Sequence, residues 1–146
     1  MIHPIKCSHH VYVCSPAQHE DGERRKCREC GWRERAIVLP YVPPGANQLH
    51  GHRHATTSWR DQVKLDTMRL AERLQPLDKA VITVELRWRT HRRRDCDNFL
   101  AGLKGCFDGL VERGWIVDDD AAHVEYVVRG HYGAPRDEVC ISVEPC

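Results

Sequence analysis

The chain has 146 residues, 41% of them hydrophobic, which suffices for one moderate core with a small appended module and excludes two full domains. A net charge of +1 neither demands nor excludes nucleic acid, so the distribution of charge carries the argument. No apolar run approaches the ~18 residues of a membrane span and no signal-peptide pattern is visible, so a cytoplasmic protein is expected.

Residues 1–35 read as a separate module. Eight cysteines without an export signal, among them Cys27-x-x-Cys30, suit reduced thiols and a metal better than disulfides. Two thiolates at that spacing, with Gly31 easing the turn, bind one side of a tetrahedral Zn²⁺, and Cys7-x-x-His10 can supply the other. The expected ligands are Cys7, His10, Cys27 and Cys30, with His9, Cys14 or the remoter His19 as alternatives to His10. All four positions are then closed by protein, which makes the zinc structural. Arg24, Arg25, Lys26, Arg28, Arg33 and Arg35 surround the pair and suit phosphate contacts.

From Ala36 to Leu39 a short apolar run predicts a strand, halted by Pro40. Pro43, Pro44, Gly45 and Asn47 predict an extended loop that continues through His50, His52, Arg53 and His54, either a strand-binding lip or a solvated loop. Thr56 or Thr57 is expected to cap a helix reaching Leu74, with Trp59, Val63, Leu70 and Leu74 on its core face. Lys79 to Trp88 alternates with Ile82, Val84, Leu86 and Trp88 on one side, the pattern of a half-buried strand. Five arginines crowd positions 87 to 94.

A helix beginning near Asp97 places Phe99, Leu100, Leu103, Cys106, Phe107, Leu110 and Val111 on one arc of roughly 140°, the face expected in the core. Asp97, Ala101, Lys104 and Asp108 fall on the opposite side, and Gly114 stands where a left-handed C-terminal cap is expected. Asp118, Asp119 and Asp120 follow. Val124 to Arg129 and Glu138 to Val143 predict two strands joined by a turn around Gly133-Ala-Pro135, with Cys140 facing the core. The expected domain, residues 36–146, is α+β with two main helices packed on a mixed sheet.

Gathered carboxylates repel one another, and a hard cation such as Mg²⁺, held by one or two of them plus water and phosphate oxygens, relieves the repulsion. Arg92, Arg93 and Arg94 abut Asp95-Cys-Asp97 and can grip phosphate bidentately. Singly these features have ordinary readings, Asp at a helix start being a common cap and Lys104 with Asp108 a common surface pair. Together they predict metal-assisted hydrolysis of a phosphate ester.

The run Asp95-Cys-Asp97-Asn98, with Lys104, Phe107-Asp108, Leu110, Gly114 and Asp118-Asp119, resembles the signature of the RusA family of Holliday-junction resolvases. Leu39-Pro-Tyr-Val-Pro-Pro44 and Asn47 resemble that family's first strand and Pro-Pro-x-x-Asn loop, while residues 1–35 are similar to the zinc ribbons of many phage proteins. The resemblance implies a Mg²⁺-dependent homodimeric endodeoxyribonuclease of recombination and repair that acts on four-way DNA. It implies Asp95, Asp97 and Asp119 as the metal-binding carboxylates, with Asp118 or Asp120 open as replacements for Asp119, and Lys104 as the catalytic lysine. In the family form D-x-D-N-x-x-K the lysine comes three residues earlier; here it keeps the helix face but lies near 10 Å along the axis from Asp97 instead of about 6 Å. Arg92, Arg93, Arg94, Asn47 and Arg53 are the expected DNA contacts. The alternatives are a non-catalytic DNA-binding accessory protein and, less well matched to so many arginines, a phosphatase of small esters.

Overall fold

The structure, a computed structural model, describes residues 35–146. The zinc-binding module expected from Cys7, His10, Cys27 and Cys30 lies outside the described residues. The elements are β1 (Arg35–Leu39), α1 (Ala46–Leu49), α2 (Arg53–Leu70), β2 (Ala80–Trp88), α3 (Cys96–Leu100), one 3₁₀ turn (Ala101–Leu103), α4 (Lys104–Glu112), β3 (Val124–Tyr132) and β4 (Glu138–Pro145). The fold is α+β, as expected.

The four strands form one mixed sheet in the order β1-β4-β2-β3, in which β4 runs antiparallel to both β1 and β2 while β3 runs parallel to β2. The Gly133-Ala-Pro135 turn therefore does not close a hairpin. It carries the chain past the end of β2, which lies between the two strands it joins. The alternation of β2 holds as expected, with Ala80, Ile82, Val84, Leu86 and Trp88 all buried. Val139, Ile141 and Val143 pair opposite Leu86, Val84 and Ile82 and extend the same apolar face. Cys140 is buried too, but strand alternation turns it to the other face, opposite Glu85, and burial pushes its thiol pKa up to about 12.

Onto the apolar face pack Val63 of α2 and Phe99, Leu103, Cys106, Phe107 and Leu110 from the segment after β2. The two helical layers meet at glycine. A Cβ on Gly105 would lie 2.1 Å from the Arg60 carbonyl oxygen and one on Gly109 would lie 3.1 Å from that of Lys64.

Two expectations for α2 are corrected. The helix starts at Arg53 after His52, and Thr56 and Thr57 sit inside it, their hydroxyls donating to the carbonyls of His52 and Arg53 at 2.9 and 3.1 Å. It ends at Leu70, which is exposed, while Thr67 and Ala71 hold the buried positions near its end. The chain leaves the helix early because Leu74 and Leu77 donate backbone hydrogen bonds to the carbonyls of Arg113 and Trp115. Gly114 has φ +71 and closes α4 as expected, and a Cβ there would also meet the Leu74 carbonyl oxygen at 2.3 Å.

Candidate active site

Asp95 ends the crossing from β2 and caps α3, its Oδ1 accepting the Asp97 N–H at 3.2 Å. Asp97 lies in the first helical turn with its carboxylate exposed. The helix expected to run on from Asp97 is interrupted by the 3₁₀ turn at Ala101–Leu103. Three residues wound more tightly advance the phase by roughly 60° over an uninterrupted α-helix, which moves Lys104 from about 20° on one side of the Asp97 direction to about 40° on the other. Gly102 in this turn lets the Pro44 segment approach closely, since a Cβ there would meet the Pro44 carbonyl oxygen at 2.4 Å.

Lys104, first residue of α4, donates to Asp119 Oδ2 and lies 3.1 Å from Asp108 Oδ1. The hydrogen bond to Asp119, joined by that to Asp108, raises its pKa and keeps it an ammonium. Burial alone would raise the Asp108 pKa, but the Arg60 guanidinium at 2.8 Å and Lys104 outweigh it and hold the carboxyl below its ordinary value. Lys104 and Asp119 line an open pocket of about 510 Å³ with Leu100, Ala101, Phe107 and Tyr126. Tyr126 packs on Phe107 at 4.9 Å and donates to the Asp119 carbonyl at 2.9 Å. Burial first, then the Asp119 charge, pushes its phenol up to about 12, so it stays a neutral donor.

The three consecutive aspartates have different duties. Asp118 accepts the Asp119 N–H at 2.8 Å, and Asp120 Oδ1 takes the N–H groups of Ala122 and His123 and the His123 ring at 2.5 Å. Asp119 is the one whose carboxylate reaches Lys104.

A second pocket, of about 520 Å³, lies between the Pro43–Gln48 segment and the arginine run. Arg92, Arg93, Arg94, Asp95, Asn47 and Asn98 all line it, although Asn47 and Asn98 are 51 residues apart in sequence. Asn98 Oδ1 accepts the Asn47 N–H at 2.9 Å, and a Cβ at position 45 would fall 2.2 Å from Asn98 Nδ2 and displace that side chain. Arg94 is the anchored member: its guanidinium lies 5.0 Å from the Trp88 ring centre and bonds to Thr90 and to the Arg92 carbonyl. Arg92 and Arg93 are exposed and form no ion pair among the described residues. Arg53 is exposed at the head of α2 and does not line this pocket.

The expected site residues thus fall into two groups, Asp95 with the arginines and asparagines, and Lys104 with Asp119. Asp97 lines neither pocket. Among the described residues no three His, Cys, Asp or Glu side chains converge closely enough to hold a metal ion. Asp95 and Asp97 supply hard oxygen donors in the number Mg²⁺ usually takes from protein, with water and phosphate completing its shell. Sequence reasoning passed over Arg60, Tyr126 and Tyr132, the last of which accepts the Arg94 N–H on its hydroxyl at 3.0 Å. The period of β3 signals the two tyrosines, which alternate with Val124 and Val128 toward the helices; nothing local signals Arg60.

The chain matches no protein-family model and no characterised protein. No described helix is long and apolar enough to cross a membrane.

Proposed function

We propose that the chain is a RusA-like, metal-dependent endodeoxyribonuclease that cuts branched DNA such as a four-way junction. The observation that carries this reading is the placement of Arg92 and Arg93 with Asp95 around one pocket, cations able to grip phosphate beside a carboxylate able to hold a metal, and of Lys104 with Asp119 in another. Asp95 and Asp97 are the carboxylates that would hold Mg²⁺, which when bound would activate water or polarise the phosphodiester, while the Asp119 carboxylate is taken by Lys104. The residues' own work follows from their chemistry. Arg92 and Arg93 bind the backbone phosphates, and the Lys104 ammonium, held by Asp108 and Asp119, offsets charge developing on the phosphoryl oxygens. Asp119 fixes the lysine through its carboxylate while Tyr126 fixes Asp119 through its carbonyl.

A homodimer presenting two such sites suits the symmetric strands of a junction. The N-terminal cysteines and His10 belong to a structural Zn²⁺ module that adds phosphate contacts in this reading. One observation favours a second reading, a DNA-binding accessory protein without cutting activity: no three carboxylates converge among the described residues. Incubating labelled four-way junction and linear duplex with the protein, in Mg²⁺ and in EDTA, separates the two. Nicking of the junction in Mg²⁺ alone supports the nuclease; binding without nicking supports the accessory protein.

A further inference from the structure

The pocket beside the arginine run is larger and more varied than a phosphate contact requires. A phosphate grip needs guanidinium groups at a surface, whereas this pocket of about 520 Å³ is lined by Arg92, Arg93 and Arg94, by the carboxylates of Asp95 and Asp137, and by Pro43, Trp59 and Phe99 as its apolar wall. Trp59 is half-buried, tilted against Tyr41 at 6.0 Å, and forms part of the lining. At the edge stands Asn47, whose backbone N–H is taken by Asn98 while its side-chain amide is exposed, leaving a donor and an acceptor for a ligand.

We infer that this pocket takes one unstacked nucleotide of a DNA strand, its base against the Trp59 wall with its edge at the Asn47 amide and its phosphate on Arg92 and Arg93. The inference rests on the nucleic-acid reading of the arginine run, though not on cutting. Three properties point to a nucleotide as the occupant. The cations at the mouth complement a phosphate; the aromatic and proline wall complements a flat base, every base having a π-face; and a primary amide matches the paired donor and acceptor on a base edge. A small anion would leave Trp59 uncovered, and an apolar ligand would leave the cations unmatched. Branch points are where bases are least firmly stacked, so a pocket of this kind would favour branched over linear duplex.

The test uses the full chain in EDTA and fluorescence anisotropy of a labelled five-nucleotide thymidine strand, beside a strand of the same length and charge with all five bases removed. The wild type is expected to bind the intact strand roughly ten-fold more tightly than the abasic one. Asn47→Ala and Trp59→Ala should shrink that ratio toward one, whereas Arg92→Gln should weaken both strands together and reduce their salt dependence. Because Asn47 is exposed, its truncation tests the pocket even if Trp59→Ala fails to fold. Equal wild-type affinities for the two strands, or a ratio that survives both pocket substitutions, would overturn the inference. A protein that discriminates the strands yet never nicks a junction loses the nuclease reading alone; one that nicks junctions without discriminating loses this inference alone.

Discussion

Asn98 Oδ1 accepts the Asn47 backbone N–H at 2.9 Å while the Asn98 N–H donates to the Asp95 carbonyl at 3.2 Å, so one side chain ties the proline loop to the aspartate step. Replacing it with alanine removes the acceptor and leaves the Asn47 N–H without its partner. Asn98→Ala is expected to lower stability by about 1 kcal/mol, seen as a fall of about 5 °C in the thermal midpoint. An unchanged midpoint would mean that the loop docks by other contacts.

The glycines between α2 and α4 make a graded prediction. Alanine improves helix propensity by at most about 1 kcal/mol, but at position 105 its Cβ would collide with the Arg60 carbonyl. Gly105→Ala should therefore be destabilising by about 2 kcal/mol net in urea titration. Gly109→Ala, with 3.1 Å to its nearest neighbours, should cost less. Equal midpoints for the two variants would contradict the close crossing.

Lys104 has two carboxylate partners and a raised pKa, so its charge is present throughout the neutral range. Lys104→Met is expected to slow junction cutting about 100-fold or more while leaving junction affinity within a few-fold. Asp108→Asn should have a milder effect of the same kind, because Asp119 still holds the lysine. Gel shift and single-turnover cleavage on the same preparations check both.

The His123–Asp120 pair closes the turn that presents Asp119. The hydrogen bond that the His123 ring donates to Asp120 raises the His123 pKa above 6.5, so its contribution to the turn is complete below about pH 6.5 and is lost as pH climbs through the raised value. Asp120 is lowered by the same bond, so its side of the pairing fails only under acid. An NMR titration should place the His123 midpoint above 6.5, and Asp120→Asn should bring it back.

Much of the fold was legible because period and burial agree. β2 reads at period two and buries the residues so expected, and the apolar arc from Phe99 to Leu110 enters the core even though the helix is broken. The break itself was not legible: the apolar period runs on through it, and the close approach of Gly102 to the Pro44 carbonyl beside it joins segments far apart in sequence. The end of α2 differs from the expected one for the same kind of reason: Leu74 has helical spacing, but its N–H donates to the Arg113 carbonyl instead of to a carbonyl of the helix. In the site, the pairing of Lys104 with Asp108 could be read from i,i+4 spacing, whereas Arg60 behind Asp108 and the meeting of Asn47 with Asn98 are tertiary facts without a local pattern.

The central claim is that the aspartate step is catalytic, and Asp97→Asn tests it most directly. Its carboxylate is exposed and it caps nothing, so the fold should survive the exchange. Wild type and variant should be compared for binding and cutting of a labelled four-way junction in Mg²⁺. The account predicts paired, symmetric nicks by the wild type and none by Asp97→Asn, with junction binding retained or strengthened. Undiminished cutting by the variant, or a wild type that binds the junction and leaves it intact in both Mg²⁺ and Mn²⁺, would contradict it.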